Sequence, residues 1–188
     1  MGRDVLTVEP FHDNVIRIHK AATLENTQNK ITLLKNALSN KRNEIKMLQP
    51  DTTNNGGQSL IPNKDKVYTR DENNKYLVET ILFDDIIPYL PKNAENKEYK
   101  KAILKIDIEG FEPYAFQHAD KLFDLLDIPI IYMEWGYLAG ITKAHNLTIN
   151  MINFLYSHGL RPYANNQQLE KDRWLSWPWD IMWKKDGY

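Results

Sequence analysis

Cysteine is absent from this chain of 188 residues, which excludes a disulfide scaffold, a thiolate zinc site and a cysteine nucleophile. The eight glycines form no G-x-G pair and no G-x-x-x-x-G-K-[ST] run, so a dinucleotide fingerprint and a phosphate-binding loop are both missing. No apolar run approaches the ~20 residues of a membrane-spanning helix. Lys and Arg number 24 against 25 Asp and Glu, so the basic excess of a nucleic-acid binder is lacking.

These absences set the expectations for partners and location. We expect no nucleic-acid partner and no membrane segment in this chain. Acidic residues interrupt the first ten positions, where a signal peptide would carry an apolar stretch, so a cytoplasmic location is the default expectation.

The residues that are present are those of a globular protein. Hydrophobic residues make up 42% of the chain and its length suits one domain, which we expect to span residues 1–188. A polar stretch rich in Asn, Asp, Lys and Gly predicts a surface excursion over residues 50–76.

Apolar, β-branched segments alternate with helical patterns along the chain. We predict core strands over residues 4–9, 31–38, 77–83, 102–108 and 129–134, with a short strand near 44–48. Helices are predicted after an N-cap at Asp13, over 112–126, and over 147–158 with Gly159 as its terminating residue. Residues 160–164 and 179–183 are expected to be closing strands. This alternation predicts an α/β fold with a mainly parallel sheet and helices on both faces.

Three of the predicted strands end in an acid, namely Glu9, Asp107 and Glu134. In parallel sheets ligands bind beyond the carboxyl ends of the strands, so we expect these carboxylates to line one crevice. The alternative is that each acid caps the helix that follows it.

Five segments, in this order, resemble the FkbM-type methyltransferases, which use S-adenosylmethionine and have a Rossmann-like fold. They are V-E-P at 8–10, N-A-L-S at 36–39, N-G-G-Q-S-L at 55–60, L-F-D-D-I at 82–86 and K-I-D-I-E-G-F-E at 105–112. The last segment is the most specific of the five, and Phe83 stands where the family usually has Leu. The resemblance covers roughly residues 5–184 and implies a class I methyltransferase sheet.

The resemblance also implies roles for individual residues. Glu9 would accept hydrogen bonds from the ribose hydroxyls of the cofactor. Ala37, Leu38 and Ser39 would border the adenine. Asp107 would face the cationic sulfur, and Glu109 would take the proton from a substrate hydroxyl, so both count as catalytic candidates.

The resemblance implies a small-molecule or glycan substrate. Glu134 and Trp135, at the end of the strand predicted over 129–134, are expected on the substrate side by their position, and no metal is expected. The expected reaction is O-methylation of a hydroxyl on a sugar, lipid or secondary metabolite. His12, His19, His118, His145 and His158 show no metal-ligand spacing.

One part of the family pattern has no counterpart before Glu9. Family members begin with a strand that ends in a glycine-containing turn, roughly D-x-G-A-N-x-G, and only three residues precede Asp4 here. In the family sheet order 3-2-1-4-5-7-6 that strand is the central one. We therefore expect a sheet without its first strand, a domain incomplete at its N-terminus, and weak or no binding of S-adenosylmethionine by these residues alone.

Two other readings of the same residues remain open at this point. A metal-dependent, glycosyltransferase-like enzyme would use Asp107 and Glu109 as a D-x-E ligand set. A non-catalytic interaction module would keep the fold without a cofactor. The tryptophans at 174, 177, 179 and 183 either bind a ring of the substrate or pack the closing strands.

Overall fold

The computed structural model describes residues 3–49, 57–60, 67–93 and 95–188, which form a mixed α/β fold. The chain divides into two compact units, Met1–Tyr99 and Lys100–Tyr188. The single domain expected over residues 1–188 stays a prediction. Much of the excursion expected over 50–76 lies outside the described residues. Within the part that is described, no helix is both long enough and apolar enough to cross a membrane.

The first unit contains two small sheets. Its strands are β1 (Val5–Val8), β2 (Ile31–Leu34), β3 (Ala37–Leu38), β4 (Ile45–Met47) and β5 (Leu77–Ile81). Strands β1 and β2 pair in parallel, while β5 pairs in parallel with β3 and antiparallel with β4. The single strand predicted over residues 31–38 is therefore wrong. It is two strands that belong to different sheets, because the chain leaves β1 after Leu34 and joins β5 at Ala37.

Helix α1 (His12–Leu24) follows β1 after a short turn. Its N-cap is Phe11 and not the predicted Asp13, which lies in the first turn and pairs with Lys75 at 2.7 Å. The backbone N–H of Phe11 donates to Oε1 of Glu9 at 2.8 Å, so the acid that ends β1 satisfies a free donor at the start of the helix. Capping is thus one function that the structure shows for Glu9. A 3-10 turn, Gln28–Lys30, leads into β2 and another, Phe83–Tyr89, follows β5.

The second unit is built on one sheet of five strands. They are β6 (Lys101–Ile106), β7 (Asp127–Glu134), β8 (Leu160–Ala164), β9 (Gln167–Gln168) and β10 (Asp180–Lys185). The order is β6-β7-β10-β8-β9, in which only β6 and β7 are parallel. The last strand in sequence therefore lies between β7 and β8. The order of β6, β7, β10 and β8 agrees with the 4-5-7-6 part of the order expected from the resemblance.

The observed strands pair differently from those of the predicted, mainly parallel sheet. The described strands form three sheets rather than one, and in the second unit antiparallel pairs outnumber the parallel pair. The mainly parallel sheet was inferred from apolar strands alternating with helices. That pattern does not register a terminal strand such as β10, which returns antiparallel between two strands already formed.

Helices of the second unit connect its strands. They are α2 (Glu112–Ala115), α3 (Asp120–Leu125) and α4 (His145–Ser157), with 3-10 turns at Phe116–His118, Thr142–Ala144 and Lys171–Ser176. The continuous helix predicted over 112–126 is wrong, because a 3-10 turn interrupts it and Phe116 then packs on Phe123 with ring centroids 5.8 Å apart. The α4 prediction is confirmed, with Gly159 at φ +78° directly after the helix end.

Large aromatic residues fill the core of the second unit. Trp135 and Trp183 are among its largest fully buried side chains, and their ring centroids lie 6.2 Å apart. The indole N–H of Trp135 donates to the carbonyl of Trp174 at 2.8 Å. This core fixes the end of β7, where Glu134 lies.

Candidate active site

Strands β6 and β7 bring two carboxylates together at one edge of the five-stranded sheet. The parallel register pairs Ile106 with Met133 at the end of the ladder. Asp107 follows the last residue of β6, and Glu134 is the last residue of β7. Neighbouring parallel strands end at the same edge, so this register places the two side chains side by side.

Glu109 joins this pair through a tight turn. Its backbone φ is +56°, the left-handed region that non-glycine residues seldom occupy, and Gly110 follows at φ +88°. Oxygens of Asp107, Glu109 and Glu134 lie within 4.8 Å of one another. We call these three residues the acidic cluster. Two of the three acids expected to line one crevice, Asp107 and Glu134, are thus close together, whereas the part of that expectation that concerns Glu9 stays a prediction and the roles of all three stay proposals.

Glu112 is a buried acid that holds the turn between Asp107 and Glu109. It is 1% exposed, and its Oε1 accepts the backbone N–H of Ile108 at 2.9 Å. Burial is the main reason that its pKa rises from 4.5 to about 7, and the charges of Asp107 and Glu134 add to the rise. Glu112 therefore resists ionisation and holds the backbone between two members of the acidic cluster.

Two exposed aromatic residues flank the acidic cluster. The indole N–H of Trp179 donates to Oε1 of Glu134 at 2.6 Å, and the ring of Tyr137 lies edge-on to it at 5.2 Å. Their exposed fractions are 54% and 43%. The indole packs over Gly136 so closely that a Cβ there would lie 2.2 Å from it. This fixed indole orients the Glu134 carboxylate.

The electrostatics of the acidic cluster are those of crowded like charges. Burial raises the pKa of Glu134, the Trp179 bond lowers it, and the charges on Asp107 and Glu109 raise it further. The same charges, that of Glu109 first, raise the pKa of the Tyr137 hydroxyl. Lys105 lies 3.0 Å from Oδ2 of Asp107 and offsets part of the charge. Such a cluster favours the binding of a cationic ligand, and it can also accept a proton from a bound ligand.

Trp135, predicted on the substrate side, is placed in the core at 1% exposure with its N–H already bonded. The exposed indole beside Glu134 belongs to Trp179 instead. Sequence reasoning missed this neighbour because 45 positions separate the two residues and no local pattern links them. Glu112 was taken only as the start of a helix, and its burial has no signal in the sequence.

The residues expected to hold a cofactor in the first unit are Glu9, Ala37, Leu38 and Ser39. Burial raises the pKa of Glu9, while the Phe11 N–H and the Asn14 side chain lower it by hydrogen bonding. Ala37 and Ser39 are buried, and Leu38 is half-buried. Within the first unit, Glu9 is a partly buried acceptor, which is the chemistry that a ribose diol requires. Within the second unit, the acidic cluster has the charge that complements a cation such as a sulfonium.

Comparison with known proteins gives this geometry a context. The family model described as the methyltransferase FkbM domain matches residues 1–162. The chain belongs to this family. A search of curated proteins found no match.

Among solved structures, this FkbM-family chain is similar to one whose title reads methyltransferase FkbM from Methylobacillus flagellatus KT. The TM-score is 0.49 at 16% sequence identity, and the match covers 97% of this chain and 36% of that one. The chain therefore spans about a third of the length of that solved protein. Membership of the FkbM family rests on the family model.

Proposed function

We propose that this chain is an S-adenosylmethionine-dependent O-methyltransferase that acts on a hydroxyl of a sugar, lipid or secondary metabolite. The acidic cluster is the observation that carries the proposal, because it joins a proton acceptor and a negative field at a strand edge of a methyltransferase domain. A Rossmann-like arrangement of the sheets is part of the proposal. It is supported by the parallel β1-β2 pair and by the order β6-β7-β10-β8.

Each residue has a definite task in this proposal. Glu9 binds the ribose hydroxyls, Ala37, Leu38 and Ser39 border the adenine, and Asp107 faces the positive charge. S-adenosylmethionine, when bound, supplies an electrophilic methyl group on sulfur. Glu109 accepts the proton of the substrate hydroxyl, which would otherwise be a poor nucleophile. Glu134 and the neighbouring Trp179 orient the substrate, since alignment of the reacting atoms is the main requirement of a direct displacement.

A ligand-observed experiment tests the proposal. Saturation-transfer NMR with S-adenosylmethionine and S-adenosylhomocysteine is suitable, because it detects weak as well as moderately tight binding. Glu9→Gln should reduce the signal of both compounds. Asp107→Asn should reduce the preference for the cationic sulfonium over the neutral thioether, and Asp124→Asn, an exposed acid on α3, is the matched control.

The proposal fails if neither compound shows a saturation-transfer signal with the unaltered protein, or if Glu9→Gln and Asp107→Asn behave as the control does. A signal from a nucleotide sugar that requires Mn²⁺ would instead favour glycosyl transfer through Asp107 and Glu109. The acidic cluster contains both members of that D-x-E pair, which is why this second function is tested beside the first.

A further inference from the structure

We propose that Asp107, Glu109 and Glu134 bind one hard divalent cation, such as Mg²⁺, Mn²⁺ or Ca²⁺. Binding of the cation stands on the geometry of these residues alone. Only its contribution to methyl transfer, described below, rests on the proposed function.

The spacing of the acidic cluster suits one cation. Each of the three residues offers a carboxylate oxygen, and these oxygens lie within 4.8 Å of one another. Oxygens on opposite sides of one ion are about 4.2 Å apart for Mg²⁺ and about 4.6–5.2 Å apart for Ca²⁺. Oxygen ligands with negative charge are the ones that these ions prefer.

Glu112 provides a second, independent observation. Its side chain is 1% exposed, and its Oε1 bond to the Ile108 N–H turns the carboxylate toward the Asp107–Glu109 turn. Its Oε2 is buried and has no hydrogen-bond partner among the described atoms. An oxygen of Glu112 that is buried beside three carboxylates without a hydrogen-bond partner points to a positively charged partner, which a bound cation supplies.

The charges around the acidic cluster agree with this inference. Lys105 pairs with Asp107 at 3.0 Å, but its side chain is exposed and flexible, so an ion can displace it. The Trp179 N–H holds only Oε1 of Glu134. The Tyr137 hydroxyl also faces the carboxylates and can serve as a further oxygen contact.

Such a cation would assist the proposed methyl transfer. A hydroxyl that contacts a divalent ion loses its proton more readily, as water does on metal ions. The proton passes to a carboxylate or to solvent. The oxygen then forms a bond to the methyl carbon while the carbon–sulfur bond breaks, and the sulfur leaves as a neutral thioether. Deprotonation would then not depend on Glu109 alone.

Titration of the full chain with Mn²⁺, followed by electron paramagnetic resonance of the free ion, tests the site. We expect one ion per chain, with competition by Mg²⁺ and Ca²⁺. Asp107→Asn and Glu134→Gln should each weaken binding about tenfold or more, and the control Asp124→Asn should not. Lys105→Met should strengthen binding, because it removes the competing ammonium; a purely structural role of the acidic cluster predicts no such gain.

Terbium luminescence gives a second readout that does not require methyl transfer. Tb³⁺ bound at the acidic cluster should be sensitised by the neighbouring indole of Trp179, whose N–H contacts Glu134. Trp179→Phe should lower the sensitised emission while leaving an Mn²⁺ site in place. Circular dichroism and thermal melting verify that each variant is folded.

The inference is overturned if the folded, unaltered chain does not bind Mn²⁺ at millimolar concentration. It is also overturned if both carboxamide variants bind as tightly as the control. Mn²⁺ binding without any signal from S-adenosylmethionine would contradict the proposed function but not the cation site. A signal from S-adenosylmethionine without any Mn²⁺ binding would contradict the cation site but not the proposed function.

Discussion

At the scale of single residues, Glu112 is the most deeply buried of the described acids. Burial raises the pKa of its carboxyl group more than the hydrogen bond from the Ile108 N–H lowers it, so the pKa of about 7 in the folded chain lies above the ordinary value of 4.5. Between these two pH values the folded chain holds a proton that the unfolded chain has released. The free energy of unfolding therefore falls as the pH rises through this range.

Glu112→Gln should remove this pH dependence. Gln keeps an oxygen that accepts the Ile108 N–H but cannot ionise, so the variant should gain stability relative to the unaltered protein as the pH rises from 5 to 8. The full difference is on the order of 3 kcal/mol. Denaturant unfolding at several pH values, in the presence of a chelator, measures it.

The exposed Glu170→Gln is the matched control for this measurement and should show a flat difference across the same pH range. Parallel pH profiles for Glu112→Gln and the unaltered protein would contradict the burial argument.

Gly136 is the second residue with a specific prediction. The added Cβ of Gly136→Ala would lie 2.2 Å from Cδ2 of the Trp179 indole, so the ring must move and its bond to Glu134 must break. We expect a loss of about 1–3 kcal/mol and a shift of tryptophan fluorescence to longer wavelength. Thermal unfolding and emission spectra check both effects.

Gly140→Ala offers the comparison within the same loop, because the nearest atom to its added Cβ is the Tyr137 carbonyl oxygen at 3.6 Å. That is ordinary van der Waals contact, and this variant should resemble the unaltered protein. If the two alanine variants were equally stable, the indole would not be held over Gly136.

At the scale of elements, β10 is essential to the five-stranded sheet. It pairs with β7 on one side and β8 on the other, and it carries the buried Ile181 and Trp183. Deleting residues 180–188 should therefore abolish cooperative unfolding of the second unit, because both neighbours lose their ladder partner. Far-ultraviolet circular dichroism during heating measures the loss.

Removal of Gly187 and Tyr188 alone controls for the shortening of the chain. Tyr188 is half exposed and contacts the Lys101 ammonium at 4.8 Å, so the expected cost is below about 1 kcal/mol. A chain without residues 180–188 that still unfolds as sharply as this shorter deletion would show that β10 is dispensable.

The observed helices and strands also show which sequence patterns predict secondary structure correctly. Apolar, β-branched runs predicted the strands that became β6 and β7. The run alone did not give the burial, because Lys101, Ile103 and Lys105 of β6 are exposed. The 112–126 segment has a helical pattern, yet Phe116 and Phe123 pack together and with Phe154 across a 3-10 turn. Tertiary packing overrode local propensity there, and no window of sequence contains that partner.

At the scale of the whole molecule, net charge sets a solution property. The formal charge is −1 at pH 7 and the isoelectric point is near 6.5. Because self-repulsion is smallest at that pH, we expect the lowest solubility there and recovery about two pH units to either side. Turbidity across pH 4.5–8.5 at low salt checks this. A minimum well outside that region would contradict it.

The order of strands in the whole sheet determines which residues of the candidate site could be predicted from the sequence. Asp107 and Glu134 were found because both end strands, and parallel register then joined them. The sequence marks Trp179 only as one of four tryptophans that bind a substrate ring or pack the closing strands. Its contact with Glu134 is not predicted, since it depends on the antiparallel insertion of β10. Roles for Glu9 and its neighbours came from family resemblance. The contacts of the site that depend on the order of strands in the sheet, and not on a local sequence pattern, therefore could not be predicted from the sequence.

The central position of β10 also constrains how the protein is made. A ribosome delivers β7 and β8 before Asp180–Lys185, so the nascent second unit presents two unpaired strand edges until its closing segment emerges. During translation, this interval exposes both edges to intermolecular strand pairing.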